Sequence, residues 1–127
     1  VAIARALDDP ERRSWALVAG CEAQAAAGLR DEAVATATAV LTEPAKDDYT
    51  RVVALLRLAT ALHTVDATAE ARRLRSAAAD QIVEDVADPG RRARAFAHLS
   101  MALTAAGDTD GAAVPARRTE AELAAIG

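Results

Sequence analysis

The chain has 127 residues, 52% of them hydrophobic and 27% charged, a balance suited to a folded domain rather than a disordered tail. Its net charge of −4 lacks the basic surplus of a typical nucleic-acid binder. The single cysteine, Cys21, excludes an internal disulfide framework and fits a reducing cytoplasm, and no apolar run approaches the ~18 residues of a membrane-spanning helix.

The hydrophobic residues are unusual in kind. Thirty-six are Ala, against 12 Leu, 10 Val and 3 Ile, so close helix contacts and thin cores are expected rather than one broad core. Arg outnumbers Lys 14 to 1 and Asn is absent, a bias that resembles that of a GC-rich bacterial genome and that a designed sequence could share.

In chain order, seven helices are expected. VAIARALDDP at the start matches DQIVEDVADP (80–89) at an offset of 79 residues, so residues 1–7 read as the end of a helix preceding the rest. The second helix, 10–27, opens on Asp9 as N-cap, with Pro10 where no N–H is needed. It carries the stripe Ala16, Leu17, Gly20, Cys21, Ala23, Gln24, at the three- and four-residue steps of a helix. Gly28 marks a turn, and a third helix, 31–43, follows with Ala33, Ala37, Val40 and Leu41 on one face.

The same sentence of residues then recurs twice. Asp47 caps a helix over 48–64 (Ala54, Leu55, Leu58, Ala59, Ala61, Leu62), Asp66 turns the chain, and 68–87 carries Ala71, Leu74, Ala78, Ile82 and Val86. Asp88 and Pro89 open 89–106 (Ala95, Phe96, Leu99, Ser100, Ala102, Leu103), Gly107 turns it, and 110–126 carries Ala112, Ala116, Leu123 and Ile126. The turn column Gly28, Asp66, Gly107 has offsets of 38 and 41 residues. Arg75 intrudes on the second of these stripes. Pro115 removes a backbone hydrogen bond to Gly111, which predicts a kink or a late start in the last helix.

These residues carry a resemblance. A small residue in mid-first-helix (Cys21, Ala59, Ser100), a turn residue, and then Glu32–Ala33 or Glu70–Ala71 opening the second helix are similar to the tetratricopeptide repeat. Gly111–Ala112 keeps only the Ala, and the period exceeds the family's ~34 residues. The resemblance covers residues 9–126 and implies an all-α fold, a right-handed α-solenoid of antiparallel hairpins. Its units are 9–46, 47–87 and 88–127, with 1–8 ending a preceding helix, and the whole reads as a fragment of a longer array.

Catalytic chemistry has little support in the sequence. His63 and His98 sit at different helical positions with no Cys or carboxylate at metal-ligand spacing, and no Gly-rich phosphate loop or G-x-S-x-G context occurs. No catalytic residue, metal or cofactor is expected. The arginine column Arg13, Arg51, Arg92 has two readings. One is a phosphate-tracking ladder for RNA; the other, which the 19 acidic against 15 basic residues favour, is pairing with Asp9, Asp47, Asp48, Glu84, Asp85 and Asp88 near helix ends.

A binding surface is the remaining expectation. The resemblance implies a concave groove on one face of the first helices, which holds a peptide or a partner's helix. By register that face is Trp15, Val18 and Glu22, then Val53, Leu56, Thr60 and His63, then Arg94, Ala97 and Met101, with Arg57 and His98 alongside. Leu56 lies off the stripe of Leu55, Leu58 and Leu62 and is the expected anchor. The Lys- and Asn-based carboxylate clamp of the family's chaperone-associated members is not expected here, because Lys46 is the sole Lys and Asn is missing. The reading is a non-enzymatic scaffold or sensor segment of a larger bacterial signalling protein, with a protein or peptide partner. An RNA-binding array and a spacer or self-associating homo-oligomer are the alternatives.

Overall fold

The structure, a computed structural model, describes residues 9–43, 45 and 47–126; the helix expected over 1–7 lies outside them. The fold is all-α. Six helices occur among the described residues and no strand: α1 (Pro10–Ala26), α2 (Arg30–Leu41), α3 (Asp48–Thr64), α4 (Thr68–Asp85), α5 (Pro89–Ala105) and α6 (Thr109–Ile126).

Local chemistry sets their ends. Asp9, Asp47 and Asp88 are N-caps whose carboxylates accept the N–H of Glu11, Thr50 and Arg91, at 3.0, 2.7 and 2.9 Å. Gly28, Asp66 and Gly107 all take the left-handed backbone, with φ of 76°, 60° and 82°. In each case the next residue's N–H reaches back to the carbonyl five positions earlier: Leu29 to Gln24 at 2.9 Å, Ala67 to Leu62 at 3.0 Å, Asp108 to Leu103 at 2.9 Å. This bond closes the helix and satisfies a carbonyl that has no intrahelical donor. Three such turns fold α1 back on α2, α3 on α4 and α5 on α6, and these pairs make the most extensive contacts in the molecule. α3 then lies against both α1 and α5.

The pairs pack through small residues. Cys21 Sγ donates to the Ala33 carbonyl at 3.4 Å, and Ser100 Oγ donates to the Ala112 carbonyl at 2.9 Å. Both bonds span twelve residues, and Ala59 and Ala71, also twelve apart, are both fully buried. Close approach at these points needs a short side chain, and a short donor there ties the helices together.

Arg91 pairs with Asp47 at 3.4 Å, as the charge near helix ends suggests, while the column arginines also have partners that the sequence did not single out. Arg51 donates to the carbonyls of Leu41 and Glu43 at 2.9 and 3.2 Å, and Arg92 to those of Val83 and Val86, both at 3.3 Å. The last carbonyls of a helix lack donors and carry its negative dipole end, so a guanidinium from the following helix is well placed there. Their carboxylate partners are also distant in sequence: Arg13 pairs with Glu43 and Arg92 with Glu122.

The last helix does not start late. α6 opens at Thr109 and runs through Pro115 to Ile126. Asp108 accepts the Gly111 N–H at 2.8 Å, holding the first turn, and Pro115 itself is buried. A Cβ at position 111 would strike that same carboxylate, which accounts for Gly where the other hairpins carry Glu32 and Glu70.

Candidate functional site: an apolar groove across three helices

α1, α3 and α5 lie side by side, and each presents one face at three- and four-residue steps. Together they line an open groove of about 650 Å³. α1 contributes Glu22, Ala25 and Ala26; α3 contributes Val53, Leu56, Arg57, Thr60, Ala61 and Thr64; α5 contributes His98, Met101, Ala102 and Ala105. Its volume falls in the range of ~300–1,000 Å³ typical of ligand pockets. The lining is dominated by Ala, Val, Leu and Met, so the groove offers apolar area with a few polar points.

Of the residues expected on this face, Glu22, Val53, Leu56, Arg57, Thr60, His98 and Met101 come together in the groove. Trp15, Val18, His63, Arg94 and Ala97 do not line it. Val18 is fully buried and Leu56 only 4% exposed, both in the central core. Leu56 is therefore not off the packing surface: α3 has neighbours on both flanks, and residues outside the Leu55–Leu58–Leu62 stripe are covered too. Its side chain still forms part of the groove floor, whereas Met101, 67% exposed, stands on the rim.

Charge in the groove is compensated internally. Arg57 binds Glu22 through two hydrogen bonds, Nε to Oε2 at 3.1 Å and Nη2 to Oε1 at 2.5 Å. Its guanidinium also lies over the Trp15 ring, 5.4 Å from the centroid. Trp15 thus acts from behind the groove wall. On the far side, His98 Nε2 and Tyr49 Oη are 3.2 Å apart, joining mid-α5 to the first turn of α3. His63 is half-buried, and its Nδ1 is a buried atom with no partner among the described residues.

Sequence reasoning did not single out Ala25, Ala26, Thr64 and Ala105, and it gave Ala61 and Ala102 to the packing stripes rather than to this face. Their signal was present as the continuation of the Glu22, Val53 and His98 rows by three or four residues, but small side chains carry no chemical mark.

A second recess, between the start of α3 and the end of α4, gathers Asp47, Asp48, Asp80, Glu84 and Asp85 around Arg51. Asp47 is engaged as the cap of α3 and with Arg91, and Asp48 accepts from Gln81 at 3.0 Å. Among the described residues no group of three His, Cys, Asp or Glu is placed to hold a metal ion. Cys21 is no nucleophile at neutral pH: burial, reinforced by the neighbouring Glu22 charge, pushes its thiol up to about 11. No helix among the described residues is long and apolar enough to cross a membrane.

Comparison with protein-family models, with curated proteins and with solved structures gives no match to this chain.

Proposed function

We propose that the chain is a tetratricopeptide-like array, a right-handed solenoid of hairpins 9–46, 47–87 and 88–127, that binds a peptide or partner helix in its groove without catalysing a reaction. The observation that carries this reading is the apolar groove shared by α1, α3 and α5. Supporting it, the three turns share one left-handed backbone and one closing hydrogen bond, and the three small-residue pairs share a twelve-residue spacing. The place of such a module is a scaffold or sensor segment of a larger bacterial cytoplasmic signalling protein.

The charge pattern refines the partner's chemistry. Because Glu22 already neutralises Arg57, an acidic ligand would have to displace an intramolecular carboxylate. An apolar or amphipathic segment would not, and its larger side chains would fill the space above Ala25, Ala61 and Ala102. The RNA reading is weakened by the same accounting, since Arg51 and Arg92 are occupied by helix-end carbonyls.

A photo-crosslinking residue at Thr60 or Thr64 should capture a partner, while one at Asp80, outside the groove, should not. Met101→Asp should weaken that partner by about 2 kcal/mol or more, the scale of an interface hot spot, with helical content unchanged. Equal capture from Thr60 and Asp80, or normal binding by Met101→Asp, would remove the groove as the binding site.

A further inference from the structure

We propose that the partner segment held by the groove carries a lysine, whose ammonium lies at the turn end of the groove beside Ala26, Thr64 and Ala105. The proposal rests on the groove as the binding site and adds the charge that its occupant brings.

The groove is placed unevenly along its helices. α1 and α5 line it only with their C-terminal halves, and Ala26, Thr64 and Ala105, which all line it, are the last residues of α1, α3 and α5. Carbonyls at a helix C-terminus lack intrahelical donors and carry the negative end of the dipole, where a cation is favoured. Three such ends border one groove here. The last turns of α1 and α5 contain no basic residue, and His63, in the last turn of α3, does not line the groove. The negative ends are therefore not answered by a side chain within the groove.

The polar side chains at this end point to the same ligand independently. Thr60 Oγ1 donates to the Leu56 carbonyl at 3.0 Å, and Thr64 Oγ1 to the Ala61 carbonyl at 2.6 Å. A hydroxyl has one proton, so these two exposed side chains have only acceptor lone pairs left for an occupant. The charged donor of the groove, Arg57, is held by Glu22, and His98 Nε2 is engaged with Tyr49. The uncommitted capacity at the turn end is therefore acceptor, above a floor of Ala25, Ala61 and Ala102. A lysine ammonium supplies three donors and no acceptor, and its aliphatic stem suits an apolar floor. A carboxylate in the same place would face lone pairs and three negative helix ends.

The test titrates the isotope-labelled full chain with three helical peptides of one Leu/Ala sequence, acetylated and amidated, that differ at a single central position: Lys, norleucine or Glu. The Lys peptide should give saturable amide shifts at Ala26, Thr60, Thr64 and Ala105. The norleucine peptide, which keeps the stem and lacks the charge, should bind about tenfold more weakly, and the Glu peptide more weakly still. A chain with Thr60→Val and Thr64→Val keeps the side-chain shapes and removes the hydroxyls. It should melt as the wild type does and lose most of the preference for Lys over norleucine; full preference in this variant would sink the proposal. Equal binding of the Lys and norleucine peptides in the groove would overturn the lysine and leave the groove as the binding site. Shifts at groove residues with none of the three would remove the groove, and the lysine with it. Lys-peptide shifts centred on Asp80 and Glu84 would assign the charge preference to the acidic recess instead and overturn the proposal.

Discussion

Gly28, Asp66 and Gly107 hold the same backbone conformation at three turns, yet only two of them are glycine. A left-handed residue with a Cβ costs about 1–2 kcal/mol, and Asp tolerates it better than most. An added Cβ at Gly28 or Gly107 would meet nothing within 4 Å, so Gly28→Ala isolates backbone strain from packing. It should lower stability by about 1 kcal/mol, while Asp66→Gly should raise it by about 0.5 kcal/mol, both read from urea midpoints. An unchanged midpoint for Gly28→Ala would mean that the turn tolerates another conformation. Cys21 gives a second expectation at this scale. Its thiol is raised from 9.0 in the unfolded chain to about 11. The native state thus keeps its proton over a window where the unfolded chain loses it. The resulting stabilisation is complete below about pH 9 and is lost as pH rises toward 11. Ser100 shows that this seat accepts a hydroxyl donor. Cys21→Ser should therefore stay within about 1 kcal/mol of wild type at pH 7 and lose less stability between pH 9 and 11. The same alkaline slope in both proteins would exclude the thiol as its cause.

Helices are joined here by a device that uses one arginine for several acceptors. Arg92 reaches two carbonyls of the preceding segment and Glu122 of its own hairpin, and also lies 5.7 Å from the centre of the Phe96 ring. Arg92→Ala strips donors from partly buried groups and should cost about 2 kcal/mol, against 0.5 kcal/mol or less (roughly) for exposed Arg94→Ala. Thermal unfolding of the two variants compares them directly, and equal losses would show that the helix-end bonds contribute nothing. Sequence reading found the helices because their signals are local. The caps Asp9, Asp47 and Asp88 act across two or three residues, and the expected span 48–64 coincides with α3. The partners of Arg51 and Arg92 were not legible in the same way. Acidic side chains near helix ends are visible in a sequence, whereas main-chain carbonyls left without donors become visible only once the preceding helix's end is placed. Leu56 failed for a related reason: a helical stripe tells which face meets the hairpin partner but not what covers the flanks.

Across the whole molecule the core is distributed unevenly, and the groove sits where it is thickest. α3 buries Val52, Leu55, Leu56, Leu58 and Leu62 among others, because α1, α4 and α5 surround it. α6 buries only Ala112 and Pro115, both in its first half, and leaves Val114, Leu123 and Ile126 more than half exposed. Pro115 also removes the rung to the Gly111 carbonyl, which lies within the first half. Ties of the second half include Thr119 Oγ1 donating to the Ala93 carbonyl at 3.4 Å, Glu122 accepting from Arg92 at 3.0 Å and the Arg118 guanidinium 4.9 Å from the centre of the Phe96 ring. Local opening free energy follows buried contact, from near zero at frayed ends up to the global value in the core. Native-state hydrogen exchange should therefore be slowest at residues 52–62 of α3, where only global unfolding exposes the amides. Residues 119–126 of α6 should exchange about a hundredfold faster or more, through fraying that leaves α1 to α5 intact. If residues 119–126 were instead protected as strongly as 52–62, the last helix would unfold only with the rest. The gradient from α3 to α6 would then not follow buried area.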